Sequence, residues 1–180
     1  MIPSPFDVIF SSRDMSRQIL SQIYQDLLSF FGPRRWWPAD DHFEMMVGAV
    51  LTQNTAWKNV VKALNNLKLA GALAPDRIYR MEMGELARLI RPAGYYNLKA
   101  RRLKNFVTYI MSAHGGSVKG MLRLPAQRLR RELLSVNGIG EETADCIVLY
   151  AGRHPVFVVD AYTRRVLERH HLIPPKLSYS

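Results

Sequence analysis

The chain has a single cysteine, Cys146, among 180 residues. One thiol forms no internal disulfide and cannot supply the cysteine set of an iron–sulfur cluster, which fits a reducing compartment. Long apolar runs are missing as well. None approaches the roughly 20 residues needed to span a bilayer, and the N-terminus has no basic segment followed by an apolar core. Internal repeats and low-complexity tracts are absent. Acidic residues are scarce, 15 Asp and Glu against 25 Lys and Arg, for a net charge of +10. The shortage is local. Residues 91–180 hold 15 basic against 6 acidic side chains, whereas residues 1–90 are nearly balanced at 10 against 9. So lopsided a distribution favours a polyanion or an acidic membrane surface, and nucleic acid is the stronger reading. A composition of 48% apolar and 22% charged residues describes a folded chain, either one compact domain or two small lobes. The expected location is cytoplasmic and nucleoid-associated.

Helical periodicity dominates the rest. Pro3, Pro5 and Ser11-Ser12 suggest an arm over residues 1–13. Ile19, Ile23 and Leu27 at four-residue spacing predict a helix from Asp14 that Gly32-Pro33 stops. Asp41 and Glu44 form a capping box for a second helix with Phe43, Met46, Val47, Val50 and Leu51 on one face. A polar interruption, Thr52-Gln53-Asn54-Thr55, precedes a third helix carrying Val60, Ala63, Leu64 and Leu67. Further helices are expected at 76–80, 83–90, 95–113, 126–135, 141–151 and 161–170. Val156–Val159 is β-branched and apolar but too short and isolated to imply a sheet. The fold class is all-α.

The most informative segment is Ser135-Val136-Asn137-Gly138-Ile139-Gly140-Glu141-Glu142-Thr143-Ala144. One helix ends, Gly138-Ile139-Gly140 makes a tight turn, and another helix begins. Glycine permits positive φ and close backbone approach, Ile139 can plug the turn into the core, and the new helix presents free N–H groups. A lone Gly-x-Gly is usually only a turn. Flanked by helices in a basic half-chain, it reads as a helix-hairpin-helix that grips DNA phosphates without reading sequence. About twenty residues later Val158-Val159 runs into Asp160 at a helix start. Taken alone, that carboxylate fits an N-cap.

Hairpin, Gly-rich turn and Val-Asp in this order resemble the endonuclease III (HhH-GPD) superfamily of base-excision DNA glycosylases, over about residues 36–169. The resemblance implies two helical lobes: a six-helix lobe at 38–150, and a partial second lobe combining 14–37 with 151–180. It implies that Asp160 is catalytic. Members that also nick the backbone use a lysine at the position of Glu142, and a glutamate forms no Schiff base, so the expectation is a monofunctional glycosylase without lyase activity through that route.

Arg35-Trp36-Trp37-Pro38, Leu51–Val60 and Arg91–Ala100 look like the 3-methyladenine glycosylase III branch. There, aromatics at Trp36, Trp37 and Trp57 line the base pocket, and Gln53 matches the residue that fills the gap left by the flipped base. Gln53, Asn54, Gly138, Ile139, Gly140, Glu142 and Thr143 are the expected contacts to double-stranded DNA holding a damaged base. The chemistry is consistent: an alkylated purine is cationic, its glycosidic bond is already weak, and an aromatic face attracts it by roughly 0.5–2 kcal/mol. Asp160 would stabilise the cationic sugar or orient water. No cofactor and no metal are expected, apart from a candidate monovalent cation at the hairpin.

Each residue has a plainer use. One of Trp36 and Trp37 can be core, Trp57 can be buried, Gln53 can cap a helix, and Tyr95 and Tyr96 can be packing residues. Arg101, Arg102 and Lys104 read first as a solvated face, with phosphate contact the second reading. Two rival functions stay open: a non-catalytic helix-hairpin-helix module, and a glycosylase for mismatched or deaminated bases read by Gln53, Asn54 and Asn97. The chain ends at Ser180, where relatives usually continue, so the expectation is an incomplete second lobe with apolar surface exposed on the N-terminal helix. A monomer is expected, and a dimer if that surface needs covering.

Overall fold

The computed structural model of the chain describes residues 5–34 and 37–174. Among them every regular element is helical. The helices are α1 (Pro5–Phe31), α2 (His42–Leu51), α3 (Trp57–Leu69), α4 (Pro75–Arg80), α5 (Met83–Leu89), α6 (Tyr96–His114), α7 (Val118–Leu122), α8 (Ala126–Leu134), α9 (Glu141–Cys146) and α10 (Ala161–Arg169). A 3₁₀ turn, Arg91–Ala93, leads into α6, and a π-helical turn, Ile147–Ala151, extends α9. The chain divides into two compact units, one of residues 37–160 and the other containing α1 and α10.

In the larger unit α2 is the central element. Its sequence is apolar on every side, and nine successive residues, Phe43 to Leu51, are buried. The single-face pattern expected from Phe43, Met46, Val47, Val50 and Leu51 therefore understates it, since an all-round apolar helix belongs inside. The Asp41 carboxylate accepts from the Glu44 N–H at 2.8 Å. Glu44 accepts from the Asp40 N–H at 2.9 Å rather than from the cap residue itself, and its other oxygen pairs with Lys68 at 2.6 Å. A buried carboxylate is thus matched by a cation and an N–H, the condition for keeping it charged inside.

At its other end α2 stops at Leu51, whose terminal carbonyl has no following turn of helix to donate to it. Lys99 on α6 supplies the donor. Its Nζ, 1% exposed with its residue, donates to Leu51 O at 2.8 Å and Ala93 O at 2.7 Å. Burial, aided by the Arg102 charge, pushes the Lys99 ammonium down to about 8. Around α6 pack α4, α5 and α7, while α9 and its π-helical extension pack on α2 and against α8.

Three elements differ from expectation. Pro5 is tolerated in the first turn of α1, so the helix runs through residues read as an arm, with no breaker between it and Asp14. The five-residue α7, capped by Ser117, is too short to show periodicity. Lys104 is not a solvated residue: its Nζ donates to Tyr79 O at 2.8 Å and to Met81 O, closing the C-terminus of α4. In the smaller unit α1 exposes Leu20, Tyr24, Leu27, Phe30 and Phe31. No helix among the described residues is long and apolar enough to cross a membrane.

Lys99 makes a test of this core. Lys99→Met strands two buried carbonyls and should lower stability by about 1–3 kcal/mol at pH 7. Because the folded pKa lies below the unfolded value of 10.5, the unfolded chain holds a proton that the native chain has shed between pH 8 and 10.5. Wild-type stability relative to the variant should therefore rise across that window and stay flat below it. Denaturant midpoints at pH 7, 8.5 and 10 measure this, and a constant difference would count against the buried amine.

Candidate functional site

The hairpin forms where the two glycines place it, but they do different work. Gly138 has φ +100°, a left-handed conformation that favours glycine, and a Cβ there would lie 2.4 Å from Arg102 Cγ. Gly140 has φ −92° and is the extended residue before α9, with open space where a Cβ would project. Between them Ile139 is 5% exposed and enters the core, closed by Ile139 N–H to Val136 O at 3.0 Å. Arg130 of α8 locks the two helices, donating to both oxygens of Asp145 on α9 at 2.6 and 3.2 Å.

Gln53 reaches this turn from the link between α2 and α3. Its amide donates to Gly138 O at 3.3 Å and to Thr143 Oγ1 at 2.9 Å, while its carbonyl accepts from Arg102 Nη1. The expected duplex-filling residue is therefore folded back onto the hairpin here. Thr143 is buried and Glu142 is exposed. Asn54, with φ +52°, is the exposed residue beside Gln53.

A second cluster stands within the same unit. Trp37 packs edge-on against Trp57, centroids 5.5 Å apart, and lies tilted against Tyr150 at 5.4 Å. All three are half-buried and pack on the core. Gly48 of α2 makes room for them, since a Cβ there would fall 3.3 Å from Trp37 Nε1 and 3.6 Å from Trp57. Trp37 Nε1 is buried without a hydrogen-bond partner. Both readings of these tryptophans apply at once: each touches the core and each keeps a partly open side. Trp36 lies outside the described residues. Tyr150 was not among the expected aromatics. It sits on the π-helical turn after α9, a local irregularity that often marks functional sites and that no periodicity announces.

Asp160 closes an irregular stretch that begins after Gly152. A Cβ at Gly152 would strike Val148 O at 2.7 Å, and His154 Nε2 is 3.1 Å from Leu124 O, so the stretch leaves the core at a set point. Asp160 is half-buried. Its charge, after partial desolvation, pushes the Glu142 carboxyl up. The same charge contributes to raising Tyr150, and burial together with Glu142 and Asp160 takes the Cys146 thiol up to about 12. Asp160, Glu142, Cys146 and the Tyr150 hydroxyl thus share one neighbourhood, in which an acidic charge is already in surplus.

Several expected residues do not join it. Tyr95 is 71% exposed rather than packed, with φ +44° before α6, while Tyr96 packs on the core beneath Arg91. Asn97 is exposed. Arg102, read from the sequence as a solvated residue or a phosphate contact, and Lys99, which the sequence did not single out, tie the hairpin and the end of α2 together.

Helices paired across a glycine turn with a buried isoleucine define a helix-hairpin-helix protein, here carrying an aromatic cluster and an acidic group on the same unit. The chain belongs to the HhH-GPD superfamily of base excision DNA repair proteins, whose family model matches residues 47–180. It is 47% identical over 164 residues to a Methanocaldococcus jannaschii protein, MJ1434, that carries the provisional name of a DNA repair glycosylase. That match covers 90% of this chain and 74% of the relative. Endonuclease III of Sulfolobus acidocaldarius is 32% identical over 128 residues, 71% of this chain and 55% of the relative. Among solved structures, the H. pylori 3-methyladenine DNA glycosylase MagIII bound to 1,N6-ethenoadenine superposes with a TM-score of 0.70 at 36% identity, covering 88% of this chain and 73% of that one. An endonuclease III–DNA complex superposes with a TM-score of 0.73 at 23% identity, covering 88% and 70%, a likeness of fold.

The hairpin is open to a direct test. Gly138→Ala forces a side chain into positive φ and against the Arg102 stem, and should cost about 1–3 kcal/mol of stability. Gly140→Ala, with a negative φ and open space, should leave thermal stability within about 0.5 kcal/mol. Equal melting losses in the two variants would contradict the division of labour between the glycines.

Proposed function

We propose that the chain is a monofunctional DNA glycosylase that flips alkylated purines such as 3-methyladenine out of duplex DNA and hydrolyses their glycosidic bonds. The observation that carries this reading is the Trp37, Trp57 and Tyr150 cluster on the unit that also holds Asp160. A cationic base gains roughly 0.5–2 kcal/mol over an aromatic face, and a neutral base gains less. Selectivity for alkylated purines follows without a protein acid, because the positive base is already a good leaving group. MagIII, named for 3-methyladenine, is similar over most of this chain, which supports the same substrate class.

In this mechanism the hairpin takes the DNA backbone through N–H groups at Gly140, Glu142 and Thr143. The damaged nucleotide leaves the stack at an expense of a few kcal/mol, part of which Gln53 offsets by entering the gap. The aromatic cluster receives the base. As the glycosidic bond lengthens, electrons pass to the base and positive charge grows on the sugar, where the Asp160 carboxylate stabilises it and orients the water that adds. Glu142 stands where a lyase would hold a nucleophilic amine. A carboxyl in that place forms no imine with the sugar.

The neutral-lesion alternative required Gln53, Asn54 and Asn97 to converge on a base. Asn54 and Asn97 are exposed, and the gap-filling role already assigns Gln53 elsewhere. The non-catalytic alternative turns on Asp160.

Free-base release from methylated duplex DNA separates these readings. The wild-type chain should release 3-methyladenine, Asp160→Asn should retain DNA binding and lose at least about 100-fold in rate, and Trp57→Ala should lose about 10-fold on the cationic base. Borohydride should trap no covalent complex. Binding without release in the wild type would leave a DNA-binding module, and a trapped adduct would refute the monofunctional reading.

A further inference from the structure

We propose that Arg102 is a positioning residue that holds Gln53 docked on the hairpin in the free protein and releases it by transferring its guanidinium to a DNA phosphate. The inference rests on the reading that Gln53 fills the gap left by a flipped base.

The Gln53 amide is close to saturated. Its two N–H donors have acceptors in Gly138 O and Thr143 Oγ1, and its oxygen accepts from Arg102. A side chain held in this way is directed at its own protein. To project into a duplex it must leave all three partners together, so something in the encounter with DNA has to weaken that docked state. Of the three, only Arg102 is a group for which a polyanion competes directly.

Arg102 is placed for that competition. Its stem lies against Gly138, where a Cβ would fall 2.4 Å from Cγ and 3.0 Å from Cβ, so the guanidinium is carried beside the turn that receives the backbone. Among the described residues no carboxylate pairs with it, although Arg130 on the same hairpin is paired with Asp145 and approaches Glu141. The Lys99 ammonium on the same helix repels it. A cation that another cation repels, and whose hydrogen-bond acceptor among the described residues is a neutral amide, gains from exchanging that amide for an anionic oxygen. Charge-assisted bonds from arginine to phosphate are shorter and roughly twice as strong as bonds to neutral acceptors. The exchange leaves Gln53 Oε1 without its charged partner at the moment the backbone is captured. Phosphate capture and base-gap filling are thereby coupled, and Gln53 remains folded away from solvent when no DNA is present.

The test uses the full chain and a duplex with a stable tetrahydrofuran abasic site next to 2-aminopurine, whose fluorescence rises when its stacking is broken. Arg102→Met keeps the stem against Gly138, and Arg102→Lys keeps the charge. Circular dichroism melts establish that each variant is folded. The slope of log affinity against log salt should become shallower by about one in Arg102→Met and return in Arg102→Lys. The loss of affinity caused by Gln53→Ala should differ at least 3-fold between the wild-type and Arg102→Met backgrounds, because the two side chains act as a pair. An unchanged slope in Arg102→Met, or additive effects of the two substitutions, would overturn the coupling while leaving Gln53 in the gap. If Gln53→Ala alone leaves the fluorescence of the bound duplex unchanged, the gap-filling role fails and the coupling fails with it.

Discussion

A helix buried on every side creates a problem at its end, and the solution to that problem organises this protein. The carbonyl of Leu51 faces the interior with no further turn of α2 to satisfy it, and the Lys99 amine is the donor that closes it. One cation joins α2, the turn at Ala93 and α6, so the chain must leave α2 in a fixed direction. Residues 52–55 follow that direction. They deliver Gln53 to the hairpin and start α3 with Trp57 facing Trp37. Without this closure the polar link would have no reason to lie where it does.

The hairpin and the aromatic cluster are consequently two readouts of a single packing arrangement. Gly48 lets Trp37 and Trp57 approach α2, while Gly138 lets Arg102 approach the turn. In both places a missing Cβ brings a large planar or branched group against backbone. Between them runs α9 with its π-helical extension, which carries Thr143 toward Gln53, Glu142 toward Asp160 and Tyr150 toward Trp37. A regular α-helix over residues 141–151 would set Tyr150 at a different angle.

Much of this could be read before any coordinates. Gly32-Pro33, the box of Asp41 and Glu44, and the glycine turn all signal through local chemistry, since stops, caps and positive φ depend on residues close in sequence. The pattern failed where long-range contacts decide. Tyr150 carries no local signal, because its neighbour Trp37 is more than a hundred residues away. Lys99 and Lys104 look like solvated cations on a basic helix, and only their bonds to carbonyls of other elements, buried for Lys99 and half-exposed for Lys104, make them structural. Gln53 was legible as a candidate residue, but its docked geometry depends on three partners from two distant elements.

The amino-acid sequence by itself determined the helical class, the hairpin and the family, because helix periodicity, glycine conformations and residue order are properties of the chain. It also excluded Schiff-base chemistry at Glu142, since that depends only on which atoms the side chain contains. Tertiary structure decided which aromatics meet, which cations are buried and where Gln53 points. Those outcomes follow from desolvation and close packing, and neither exists until segments far apart in the chain are brought together.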